Sequence, residues 1–303
     1  MSARLAVSVA LAVALAGCAR ESWPDPPAVD QARYQKDYDQ WRSGQQDGAR
    51  ESTKIVGVWA LPEGETPFGS DKALPISLPV KTVPARAGVL RRAGEKVSVT
   101  AAPGVDIRNG KGDPIKPADP FEGELSLGST RLFVTGMGDG RMFVNALDDE
   151  HPLLEDLPMV QAYPVDQRWR VAARFDAFEA PKPMRIADVR GGSIEYPAVG
   201  RLTFRIGNQE QQLTAFAFPG DDEFFLMFKD ATNATTTYGA RIMHARIVAK
   251  GEWTVLDFNV ASNPPCAYSP YTTCPMPPPE NRLAVAIEAG EKRFPTGLGF
   301  AQP

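Results

Sequence analysis

Between Asp30 and Gly44, aromatic residues recur at helical spacing: Tyr34, Tyr38 and Trp41 fall at i, i+4 and i+7, with charged residues between them. That period predicts one short N-terminal amphipathic helix over 30–50, packed on the body through its aromatic stripe. An aromatic ligand platform is the alternative reading of the same stripe. From Ile55 the period shortens towards two. Apolar runs at Ile55–Leu61, Ile76–Leu78, Gly88–Arg92, Lys96–Thr100, Val105–Ile107, Leu125–Leu127, Arg131–Thr135 and Met142–Ala146 predict strands. Turn chemistry separates them, as in Arg108-Asn109-Gly110-Lys111-Gly112 and Gly136-Met137-Gly138-Asp139-Gly140.

Beyond residue 155 the alternation is cleaner. Trp169, Val171, Ala173 and Phe175 alternate with Arg168, Arg170, Ala172 and Arg174, a half-buried strand. Leu202, Phe204 and Ile206 repeat the pattern, and Gly207-Asn208 supplies a tight turn into Gln211–Phe218. Phe224–Phe228 is apolar on both faces and is expected to be central. Arg241–Val248, Glu252–Val260 and Leu283–Ile287 complete a mostly antiparallel set. The predicted fold is mainly β: an antiparallel sandwich-like half over 51–150 and an antiparallel β half over 155–300, with no flexible linker between them.

Composition agrees, with 28 prolines and 26 glycines for turns and 43% apolar residues for a core. The formal charge of −4 argues against nucleic acid as a partner, which calls for a clustered basic surface. Arg4 and the apolar run Leu5–Leu15, too short to span a membrane, lead into Leu15-Ala16-Gly17-Cys18. That order resembles a bacterial lipobox. It predicts a signal peptide over 1–17, lipidation of Cys18 and a proline-rich tether over 18–29; an ordinary secretory signal is the alternative. Ala19, where an Asp would oppose it, resembles sorting to the outer membrane. The expectation is a cell-envelope lipoprotein facing the periplasm, in contact with the membrane only through its lipid.

Cys266 and Cys274 remain, separated by seven residues. In an oxidising compartment an even pair reads first as a disulfide, then as free thiols, and last as a metal site. The histidines His151 and His244 do not accompany them in sequence, so no metal or other cofactor is called for. Asp257 and Asn259 alternate against Leu256, Phe258 and Val260 at a strand exit, which suits a site. The alternative is that they serve the loop carbonyls left without donors by Pro264, Pro265, Pro270, Pro275 and Pro277–Pro279, with Asn263, Asn281 and Arg282 as further donors.

The run Leu256–Cys266, continuing through Cys274-Pro275-Met276-Pro277-Pro278-Pro279-Glu280-Asn281-Arg282-Leu283 and ending in Ala289-Gly290-Glu291-Lys292, resembles the bacterial domain-of-unknown-function 1684 family. The resemblance extends back to Gly57-Val58-Trp59 and implies no activity. Arg241 matches an arginine of the family after the Tyr238-Gly239 step. Ala240 stands where the family has Gly, and Ile242 where it has an aromatic. Of Glu288 and Glu291, only Glu291 lies in the signature. The order Pro67-Phe68-Gly69-Ser70-Asp71, Ile76-Ser77-Leu78-Pro79, Asn109-Gly110-Lys111 and Leu125–Val134 also resembles a forkhead-associated-type sandwich. Ser70 replaces the expected arginine there, so phosphothreonine binding is not implied.

Two functions follow as expectations. The first is a non-enzymatic envelope protein that binds a small molecule or protein through an Arg241–Asp257–Cys274–Arg282 surface bordered by Glu280. The second is a hydrolase in which Asp257 or Glu291 acts as acid or base while Arg241 and Tyr238 position an anionic substrate. Convergence of these side chains on an enclosed cleft favours the enzyme; a flat or filled region favours a structural or interaction role.

Overall fold

The computed structural model describes residues 23–136, 140–189 and 192–295. Cys18 and the segment 1–17 expected to be a signal peptide lie outside the described residues. The helix α1, Gln31–Thr53, starts where Asp30 caps it, the carboxylate accepting the Arg33 N–H at 2.8 Å. It runs past the predicted end. Its stripe packs on the body: Tyr38 is buried, the Tyr34 hydroxyl donates to Asp257 at 2.8 Å, and Trp41 Nε1 donates to the Ser262 hydroxyl at 3.3 Å.

Ten strands build the N-terminal half: β1 Ile55–Ala60, β2 Gly64–Gly69, β3 Ile76–Ser77, β4 Gly88–Ala93, β5 Lys96–Ala101, β6 Arg108–Asn109, β7 Asp119–Pro120, β8 Glu124–Leu127, β9 Thr130–Gly136 and β10 Met142–Asp148. They form two sheets, in the orders β1-β10-β9-β8-β6 and β3-β2-β4-β5-β7. Apolar residues of both sheets, among them Phe68, Leu90, Val99, Leu132 and Val144, close one core between them. The pairings are antiparallel except β2 with β3. The strand expected at Val105–Ile107 lies one step later, at Arg108–Asn109. Arg131 ties the end of α1 to this half, meeting Glu51, Glu124 and Asp149 at 3.4, 3.0 and 2.8 Å.

The C-terminal half is a six-stranded antiparallel sheet, β11 Arg170–Ala187, β12 Ser193–Ile206, β13 Gln209–Phe216, β14 Glu223–Phe228, β15 Arg241–Arg246 and β16 Trp253–Asp257. Its order, β15-β14-β13-β12-β11-β16, brings the first and last strands together, so the sheet is nearly a closed barrel. Trp169, Phe175, Phe204, Leu226, Phe258 and Ile287 fill its own core. β11 and β12 extend beyond the sheet as a hairpin. Pro181 falls where the register skips between Ala177 and Lys182, a place where its missing N–H removes no ladder bond.

Two expectations are corrected here. β16 ends at Asp257, and Phe258–Val260 turns as a short 3-10 helix. Leu283–Ile287 is a strap rather than a strand, with Leu283 N–H bonded to Lys229 O at 2.8 Å and Val285 O accepting from Ala231 N–H at 3.1 Å. Leu283 and Ile287 still face the core, which explains the alternation, but they lie over loop 229–231 rather than beside a strand. Residues 23–29, expected to be a tether, lie against the body. The Trp23 and Trp253 rings meet edge-on at 5.2 Å, Arg205 covers Trp23 at 4.8 Å, and Arg170 Nη1 donates to Pro27 O at 3.2 Å.

Candidate functional site

The signature residues are drawn together, but into the interior. Arg241 is fully buried beneath the strap. Its Nη1 donates to Asp230 Oδ2 and to Ile287 O, both at 3.0 Å, and its Nη2 donates to Ala289 O. The guanidinium also lies 5.3 Å from the Phe228 ring centre. Burial lowers its pKa from the ordinary arginine value, and Asp230 opposes that shift. The strap can approach this closely because Gly290 adopts φ +70°, and a Cβ there would stand 2.5 Å from Ala261 O.

Asp257, expected to share a surface with Arg241, is engaged elsewhere. It accepts the Tyr34 hydroxyl, lies 3.3 Å from Arg170 Nε, and caps the turn by accepting Asn259 N–H at 3.1 Å. Asn259 is buried and clamps the backbone of Asp166, donating to its carbonyl at 3.1 Å and accepting its N–H at 3.0 Å. Asn281 completes a gap in the sheet. β13 and β14 pair only at Phe216 and Phe225, and the Asn281 amide bonds Thr214 N–H, Thr214 O and Met227 O at 2.7, 3.0 and 2.8 Å. The side-chain amides of Asn259, Asn263 and Asn281 thus serve backbone carbonyls outside the proline loop, while the Asn281 N–H serves one within it, Pro278 O, at 2.9 Å. Glu280, Arg282 and Glu288 are exposed.

Glu291 is fully buried as well. It accepts the Tyr268 hydroxyl and, at 2.7 Å, the Asn263 N–H, while Asn263 Nδ2 donates to Lys292 O at 2.9 Å. Burial raises its carboxyl to about 7. The Tyr238 hydroxyl donates to Cys266 O at 3.2 Å, and burial raises its pKa. Cys266 and Cys274 are both buried free thiols, so the disulfide expected from the sequence is not formed here. They are in contact, the Cys266 N–H donating to Cys274 Sγ at 3.1 Å. A hydrogen bond from Cys274 lowers the Cys266 pKa. The expected Arg241–Asp257–Cys274–Arg282 surface therefore does not exist as a surface. Packing has taken Arg241 inside and turned Arg282 to solvent.

The open space lies elsewhere, between the halves. A cleft of about 670 Å³ has the outer face of β1, β9 and β10 as one wall, with Val58, Thr135, Phe143 and Asn145. Tyr196, Phe225 and Ile242 form the opposite wall, and Pro264, Pro265 and Tyr271–Pro275 cover it. The tip of the β11–β12 hairpin holds that cover. Met276 N–H donates to Ala187 O at 2.7 Å, and Val189 N–H to Cys274 O at 3.1 Å. Arg141 and Asp188 add one charge of each sign to a mainly apolar lining. Cys274 alone of the expected site residues reaches this cleft. A sequence signal did exist: Phe224–Phe228 is apolar on both faces because one face meets the core and Phe225 meets the cleft.

Fold and cleft together define a protein of two β bodies with a ligand-sized, aromatic-walled space between them. Residues 155–292 match the profile of the family described as protein of unknown function (DUF1684), so the second body carries a DUF1684 domain. The expectation reached back to Gly57; the match covers the C-terminal half. An uncharacterized protein of Haloarcula marismortui, solved by solution NMR, is 31% identical, over 46% of this chain and 78% of its own, with a TM-score of 0.40. No curated protein matches the chain. Among the described residues, no helix is long and apolar enough to cross a membrane, and no three His, Cys, Asp or Glu side chains gather to hold a metal.

Proposed function

We propose that this chain is a lipid-anchored protein of the bacterial cell envelope that binds a small, largely apolar ligand in the cleft between its halves. The observation that carries this reading is the cleft itself. Its volume of about 670 Å³ falls within the range of small-molecule sites, and Phe143, Tyr196, Phe225 and Tyr271 present aromatic surface beside a few polar groups. Anchoring through Cys18 rests on the sequence pattern Leu15-Ala16-Gly17-Cys18. In an oxidising compartment the two thiols beside the cleft would close on one another. Their two electrons and two protons pass to a disulfide of the surroundings, which leaves as a dithiol. Binding is favoured over hydrolysis because Arg241, Tyr238, Asp257 and Glu291 are occupied by contacts within the fold.

The test is titration with N-phenyl-1-naphthylamine, a neutral apolar probe that fluoresces when it leaves water. Saturable binding, abolished in Phe143→Asp, is expected. Phe143 is half-buried on the outer face of its sheet, so the variant keeps the core of that half. Absence of binding by the natural chain, or equal binding by the variant, would overturn the assignment.

A further inference from the structure

The wall that closes the cleft on one side opens a second hollow on the other. Tyr196 and Phe225 line both spaces. The second, of about 460 Å³, is completed by Phe218, Asp221, Asp222, Glu223 and His244. Its rings are arranged as a surface. Tyr196 stacks on Phe225 at 5.9 Å and 24° and meets Phe218 at 5.8 Å and 57°, while Phe225 lies 5.5 Å from His244. Phe218 is 47% exposed, an aromatic ring that the fold leaves in water at the rim.

Charge gives this hollow its sign. Three carboxylates border it and no lysine or arginine does. Asp221 Oδ2 accepts the Phe218 N–H at 2.7 Å, which fixes the turn that carries both residues. Arg246 stands across from Glu223 on β15 but outside the lining. Aromatic faces are the negative side of the ring quadrupole, so rings and carboxylates attract the same kind of group. A bare metal ion calls for converging oxygen ligands, and no such group is gathered among the described residues. A large, weakly hydrated organic cation uses both features, its alkyl groups on the rings and its charge towards the acids.

We propose that the cleft and the hollow together bind an amphipathic organic cation, its apolar body in the cleft and its alkylated ammonium over Tyr196, Phe225 and Phe218. This rests on the cleft being a ligand site. Tyr196 and Phe225 border both spaces, so a ligand that bends past the edge of these rings touches both, and the opposite order, an anionic head beside Asp222 and Glu223, is repelled.

Two ligands with one tail separate the contributions. Decyltrimethylammonium and decyl sulfate, each below its micelle concentration, compete for N-phenyl-1-naphthylamine bound to the full chain. The cation is expected to displace the probe at about tenfold lower concentration. Asp222→Asn with Glu223→Gln, both at exposed positions, should erase that preference and leave probe affinity unchanged. Equal potency of the two ligands, or a preference that survives in the variant, overturns the proposal. If the probe itself does not bind, the cleft reading fails and the joint site with it. Tetramethylammonium in a thermal-shift titration then shows what remains. A rise in Tm that vanishes in the double variant leaves a cation site in the hollow alone, and no rise removes that too.

Discussion

Replacing Arg241 with alanine separates a structural arginine from a ligand-binding one, because the two roles differ by several kcal/mol. In this fold the change removes a buried ion pair with Asp230 at 3.0 Å, a donor to Ile287 O at 3.0 Å and a donor to Ala289 O. Asp230 then stays fully enclosed without its cation, and two strap carbonyls lose their partners. Breaking a buried pair from one side costs about 3–5 kcal/mol. The carboxylate retains the Thr232 N–H at 2.7 Å and the Thr232 hydroxyl at 2.5 Å, which points to the lower half of that range, while the orphaned carbonyls add about 1 kcal/mol each. A net loss of about 5 kcal/mol is expected. Arg241→Lys should restore less than half of it, because one ammonium cannot span a carboxylate and two carbonyls held by a planar fork. Urea unfolding of Arg241→Ala, Asp230→Asn and the double variant, followed through Trp169 and Trp253, measures the coupling. A loss below about 1 kcal/mol in Arg241→Ala, or a coupling to Asp257 instead of Asp230, would refute the buried-scaffold account.

Asn281→Ala removes three bonds from the gap between β13 and β14 and should cost about 3–4 kcal/mol, with earlier amide exchange at Thr214. A loss near that of an ordinary surface change would show that the gap is not held by this amide. Burial raises Glu291 to about 7, above its unfolded value, so its contribution is fully present below about pH 4.5 and lost as pH rises through 7. That is a decline of roughly 3 kcal/mol. Glu291→Gln should flatten stability between pH 5 and 8, and an unchanged slope in urea midpoints would count against it. In protein exported to the envelope, Cys266 and Cys274 should resist alkylation until reductant is added. Closing their nine-residue loop should add about 2.5 kcal/mol, and two alkylated cysteines in intact-mass analysis without reductant would exclude the pairing.

Local pattern along the chain was enough for the mainly β class, the position of α1 and most strand positions, and it carries the expectation of an envelope lipoprotein. These depend on local period, turn chemistry and spacing, which a chain carries within a few neighbouring residues. Tyr34, Tyr38 and Trp41 sit on the packed side of α1 because helical spacing leaves them no other common face. The tertiary structure alone decided which partners the polar signature residues take. Asp230, Asp257 and Glu280 are all acidic residues of the signature region, and only the path of the strap over Asp230 decides which of them meets Arg241. Asn281 reads as a loop donor until β13 and β14 diverge and leave three backbone groups for one amide. The cleft was least legible of all, because its walls come from positions as distant as Val58, Phe143, Tyr196 and Cys274. Periodicity reports that a face is covered by something. It does not say whether the cover is another strand, a strap or a ligand-sized space, since that depends on how separately folded surfaces meet.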